Sequence, residues 1–211
     1  RARVRAGAKR YEAWLNALGE PEEIERDLFV ECPIAHPTLV VRRSALEAVG
    51  GYRDGDWPED YDLVLRLWEA GYRMGNVPRV LLEWRERPDR LSRTDPRYSE
   101  DAFRRLKVRV LRRTRLRGRN GAVVWGAGRT GKRFARELLR QGVRVRAFVD
   151  LDPRKIGQTI HGAPVIPPDG VEAYRDAYVL AAVGTSGARA EIRAALRARG
   201  FREPEEFCAV A

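Results

Sequence analysis

Residues 122–150, "AVVWGAGRTGKRFARELLRQGVRVRAFVD", decide the fold. A short apolar run ends in glycines, an amphipathic stretch follows, and a second apolar run ends at Asp150. That order predicts strand, tight turn, helix, strand. Gly126, Gly128 and Gly131 make a G-x-G-x-x-G, and Asp150 lies 19 residues beyond the last of them. In that context the helix N-terminus offers free N–H groups to a phosphate, and Asp150 is placed to meet a ribose hydroxyl. Gly126 with Gly131-Lys132 also fits the P-loop spacing, but Arg133 replaces the hydroxyl that would hold magnesium, so ATP hydrolysis is not expected. The plainer alternative is a turn that needs glycines sterically and binds nothing. Downstream, "AYVLAAVG", "ARAEIRAALRARG" and "EEFCAV" continue the alternation of strand and helix. The expected fold is α/β, with a parallel sheet covered by helices.

Upstream of "RGRNG" the character differs, so the chain is divided into residues 1–117 and 118–211. Helices are expected over about 8–19 and 99–117, and "EPEEIERDLFVECP" reads as a further short helix or as a helix followed by a turn at Pro33. "PTLVVRR" reads as a strand, and "SALEAVGG" as a helical turn capped by Ser44. "RMGNVPRVLLEWRERP" reads as a strand pair about Asn76-Val77-Pro78, and "DRLSRTDPRYS" as loop throughout. Between them "DGDWPEDYDLVLRLWEAGYR", residues 54–73, sets Asp54, Asp56, Glu59, Asp60 and Asp62 at the mouth of a helix that places Leu63, Leu67 and Ala70 on one face. Acids in a first turn are stabilising by themselves, so helix capping competes here with any chemical role.

The 211 residues carry a net charge of +11, with 44% hydrophobic and 34% charged residues, enough for a buried core in one large or two small domains. Many arginines alternate with acids on helical patterns. Without a helix-turn-helix, zinc or aromatic RNA-binding signature, nucleic acid is not an expected partner. Cys32 and Cys208 lack metal-ligand spacing and fit reduced thiols in a cytoplasmic setting. No apolar run is long enough to span a membrane. The basic helix at 99–117 is read either as a peripheral contact with anionic lipid, at the inner face of the membrane, or as a stiff domain connection, which is preferred. Arg1 opens directly on a helical pattern, and a fragment of a longer protein is expected.

Two resemblances add to these readings. "PIAHPTLVVRRSALEAVGGYRD" with "WPEDYDLVLRLWEAGYRMGNVPRVLLEWRERPDRLS" resembles the acceptor-side half of a family 2, GT-A type glycosyltransferase. The carriers are a "GGY" before the loop, a Glu-Asp pair at the helix entrance, and a helix of the form D-L-x-x-R-x-x-x-x-G. The resemblance implies inverting transfer from a nucleotide-sugar donor to a hydroxyl acceptor in polysaccharide or glycan synthesis. Asp60 would be the base, with Glu59 orienting it or contacting the acceptor. His36 would line the acceptor side, Trp57 would stack on a sugar, and Arg85, Arg87 and Arg90 would meet the donor diphosphate. For each of these a structural role remains open: a hydrogen-bonded histidine, a packed loop tryptophan, a solvated loop. The intact enzyme would use Mg or Mn, but no Asp-x-Asp stands in suitable strands, so no metal ligand is assigned and the chain is expected to be inactive alone.

The second half, with "FVDLDPRKIGQTIHGAPVIPP" and "VLAAVGTSGARAEIRAALRARGF", resembles the small Rossmann-like domain of sugar O-acyltransferases. That implies a nucleotide or nucleotide sugar at Gly126, Gly128, Gly131 and Asp150. The rival reading for the whole chain is a non-catalytic protein that senses NAD or a nucleotide sugar.

Overall fold

The computed structural model describes residues 2–5, 9–85 and 91–211. The chain divides into two compact units, Arg1–Leu106 and Lys107–Ala211.

The first unit begins with β1 (Ala2–Arg5), α1 (Lys9–Ala17) and α2 (Pro21–Asp27). Helix α2 starts with a capping box in which Glu20 and Glu23 satisfy each other's backbone N–H groups. A 3₁₀ turn at His36–Thr38 leads into α3 (Arg43–Ala48), then α4 (Glu59–Glu69), β2 (Leu82–Arg85) and the short α5 (Leu91–Thr94). Strands β1 and β2 pair in parallel. Helix α4 is the centre of this unit, with every residue from Tyr61 to Leu67 buried. Tyr61 donates its hydroxyl to the Leu28 carbonyl at 2.6 Å, and Leu63 and Leu67 pack with Ala45 and Val49.

Several local expectations give way to tertiary partners. The "PTLVVRR" segment is extended around Leu39 and Arg42, but among the described residues no strand pairs with it, and Val40 stays exposed. The cap of α3 falls at Arg42 and makes no side-chain bond, leaving Ser44 inside the helix. The hairpin about Asn76 does not form. Asn76 donates its backbone N–H to Gly19 and its amide to Leu18, which ties this segment to the end of α1 instead of to a second strand. Residues 91–98, expected as loop, contain α5 and a 3₁₀ turn at Pro96–Tyr98 capped by Asp95. Ala70 is exposed, not on the buried face.

Helix α6 (Glu100–Arg113) carries the boundary between the units. Its cations are used within each unit. Arg105 reaches Asp56 at 3.3 Å in the first, while Lys107 donates to the Val210 carbonyl and Arg112 to that of Gln141 in the second.

The second unit continues with β3 (Ala122–Trp125), α7 (Arg129–Arg140), β4 (Val145–Val149), β5 (Thr159–Ile160), β6 (Ala163–Ile166), β7 (Tyr178–Ala181), α8 (Ala188–Ala198) and β8 (Phe207–Ala209). The six-stranded sheet has the order β5-β6-β4-β3-β7-β8 and is parallel except for the β5–β6 pair. Strands β3 and β7 are buried along their whole length, as central strands covered on both faces must be. The chain leaves β3 toward β4 and β6, then crosses back to β7. That reversal opens a crevice beyond the carboxyl ends of β3 and β7. The mixed α/β, mostly parallel architecture expected from residues 122–150 is the one observed.

Candidate functional sites

In the first unit the acids of residues 54–62 have different partners. Asp56 pairs with Arg105. Asp62 is buried in an ion pair with Arg66 at 2.7 Å, and Arg66 also binds the carbonyls of Val49 and Gly51. The D-L-x-x-R pattern therefore staples the Gly50-Gly51 turn to α4. Glu59 accepts the Tyr98 hydroxyl at 2.8 and 2.7 Å on its two oxygens.

Asp60 differs from its neighbours. It is half-buried, its Oδ1 accepts the Tyr61 N–H at 2.7 Å, and among the described residues no side chain donates to it. Burial pushes its carboxyl above the ordinary aspartate range. The Glu59 charge adds to that, while the Tyr61 N–H and His36 pull against it. His36 sits beside it with Nε2 2.8 Å from the Tyr52 hydroxyl, the two rings 5.6 Å apart. Burial, Asp60 and Glu59 hold the Tyr52 phenol up, and burial and the Glu59 bond do the same for Tyr98. Asp60, Glu59 and His36 are thus brought together, with Tyr52 and Tyr98 added. Tyr52 belongs to the "GGY" of the sequence pattern; Tyr98 carried no local signal, because only the fold returns residue 98 to residue 59.

Trp57 is half-buried and its indole lies on Gly55, where an added Cβ would stand 2.3 Å from the ring. The ring therefore packs its own loop. Arg85 contributes backbone to β2, opposite Arg5; Arg87 and Arg90 lie outside the described residues. Among the described residues no three His, Cys, Asp or Glu side chains converge as metal ligands would. The Mg or Mn expected of an intact enzyme finds no fitting ligand set among the described residues. No helix among the described residues is long and apolar enough to cross a membrane.

The second unit holds a pocket of about 590 Å³ at the crevice, in the size range of small-molecule sites. Gly126, Gly128, Arg129 and Thr130 line one side, Asp150 and Lys155 another, and Val183, Thr185 and Ile192 a third. The three glycines are there for different reasons. Gly126 has φ +117, and a Cβ would sit 2.6 Å from Val183. At Gly131 a Cβ would stand 1.8 Å from the Gly126 carbonyl oxygen, so the start of α7 could not close on the turn. At Gly128 a Cβ would meet nothing within 4 Å. Steric need explains the first and third glycines and leaves the second, which opens the pocket side of the loop at the N-terminus of α7.

Asp150 is used by the protein itself. Its Oδ2 accepts the Ala127 N–H at 2.8 Å and the Lys155 ammonium at 3.1 Å, and its Oδ1 accepts the Asp152 N–H at 2.9 Å. Burial alone would raise its pKa, but these donors together hold the carboxyl below the usual range. Asp150, expected to meet a ribose, ties the glycine loop to the turn after β4. Lys155, three residues beyond the aspartates of "DLDPRK", was not singled out in the sequence.

Fold and pocket together define the second unit as a Rossmann-like α/β unit. The sequence matches no protein-family model. It is 37% identical over 86 residues to the "Putative glycosyltransferase EpsE" of Bacillus subtilis (strain 168), a similarity that covers 36% of this chain and 31% of that protein. The chain thus spans about a third of the length of that relative. Among solved structures it is similar to RSP, a Rex-family repressor, at TM-score 0.37 and 16% identity, over 51% of this chain and 59% of that one. It is also similar to RSP in complex with β-NAD+ and operator DNA, at TM-score 0.38 and 11% identity, over 82% and 86%.

Proposed function

We propose that residues 33–92 are the acceptor side of an inverting family 2, GT-A type glycosyltransferase, acting in polysaccharide or glycan synthesis. Asp60 takes the proton of the acceptor hydroxyl as that oxygen attacks the anomeric carbon of a nucleotide sugar. One observation carries this reading: the fold half-buries the Asp60 carboxylate at the mouth of α4 and, among the described residues, gives it no side-chain donor, while Asp56, Glu59 and Asp62 are each paired. A carboxylate with a raised pKa is a better base than an ordinary aspartate. His36 and Tyr52 flank the acceptor, and Glu59, fixed by Tyr98, orients the pair. Similarity to the B. subtilis protein supports a transferase role. In a transferase that contains this unit, Asp60→Asn is expected to lower kcat by about 10²- to 10⁴-fold with a smaller change in KM. Retention of most of the turnover overturns the assignment.

The second unit is proposed to bind a nucleotide or nucleotide sugar, its diphosphate lying on the N-terminus of α7 at Gly128, Arg129 and Thr130. The open space at Gly128 supports this over a bare steric turn. The same feature favours the rival, non-catalytic sensing role. Calorimetric titration of the chain with NAD, NADP, UDP-sugars and GDP-sugars separates the ligands.

A further inference from the structure

The end of the pocket beside β4 is where a dinucleotide fold reads the sugar of its ligand through an acid that accepts ribose hydroxyls. We infer that in this chain Lys155, and not Asp150, is the ligand-reading residue at that end, so that a nucleoside diphosphate is held without selection for its ribose 2′-hydroxyl. The inference rests on the nucleotide reading of the second unit.

An ionised carboxylate offers about four lone-pair positions. Three on Asp150 are taken, two by backbone N–H groups of Ala127 and Asp152 and one by Lys155. The backbone donors belong to the glycine loop and to the turn after β4, and each would be left without its acceptor if a ligand displaced it. A ribose diol, which donates from two hydroxyls, finds at most one position open. Lys155 has the opposite chemistry. Its side chain is 36% exposed, lines the pocket, and can only donate. It therefore meets acceptor atoms, such as phosphate oxygens or a base carbonyl, and its point charge imposes little direction on them. The nearby Arg154 is turned to Asp152, 3.0 Å away, so Lys155 is the cation of this turn that lines the pocket.

The test is calorimetry on the 211-residue chain with UDP and 2′-deoxy-UDP, and with ADP and 2′-deoxy-ADP. The deoxy forms are expected to bind within about threefold of the ribo forms, whereas a site built to hold the hydroxyl loses far more. Lys155→Met is expected to weaken both members of each pair by about tenfold, the worth of one charged hydrogen bond, and Lys155→Arg to keep affinity within threefold. A larger loss for the deoxy forms, or no loss in Lys155→Met, overturns the inference while nucleotide binding stands. Failure of all four nucleotides to bind at millimolar concentration overturns the nucleotide reading and the inference with it.

Discussion

Asp60 in the first unit and Asp150 in the second occupy similar places, each at a junction between loop and regular structure, and the fold treats them in opposite ways. Asp150 collects two backbone N–H groups and an ammonium, and its carboxyl falls below the ordinary range. Asp60 collects the N–H of the next residue, lies beside the like charge of Glu59, and rises above that range. A carboxylate saturated with donors holds structure together. One that is buried and left short of donors costs stability, and a chain retains that cost where the group does chemistry. The contrast gives the second acid a structural role and supports the chemical one proposed for the first, although in sequence the two look equally functional.

The sharpest way to break the comparison is through the loop that Asp150 holds. Gly131→Ala drives a Cβ into the Gly126 carbonyl and should destabilise the second unit by about 3 kcal/mol, read by denaturant melts. Gly128→Ala meets open space and should leave the melt unchanged, yet reduce nucleotide affinity more than tenfold. Equal effects on stability would remove the distinction between steric and ligand-facing glycines.

Asp150→Asn is expected to destabilise by about 1–3 kcal/mol at pH 7, because an amide cannot accept from both N–H groups and leaves Lys155 without its counter-charge. The folded carboxyl titrates below its unfolded value, so its contribution is present above the unfolded value of about 4 and is lost as the pH falls through the folded one. The gap between wild type and variant should close in acid.

Asp60→Asn should have the smallest effect on stability, and the opposite sign. The folded carboxyl titrates above its unfolded value, so ionisation penalises the folded state at neutral pH and not below about pH 4. The variant should melt slightly higher than wild type at pH 7, and the difference should vanish on acidification. A variant that is less stable at pH 7 would mean that Asp60 is paired after all.

How much of this was legible beforehand differs between the units. In the second, period and punctuation suffice: apolar runs bounded by glycines at 126, 128 and 131 give strand, turn and helix, and a parallel β3–β4 pair follows because the connection between them is helical. In the first, the helices at α1, α2 and α4 were visible, but "PTLVVRR" has β propensity without a partner, and Asn76 is drawn to α1. Propensity over short stretches loses to such long-range bonds.

The sequence by itself determined the α/β alternation, the glycine loop, and the pairing of Glu59 with Asp60 at a helix entrance, since these depend on residue type and spacing along the chain. Only the tertiary structure decided which acid is left short of donors and which is spent on the backbone. Hydrogen-bond saturation depends on groups such as Tyr98, Ala127 and Lys155, and folding alone determines their distance from a given carboxylate.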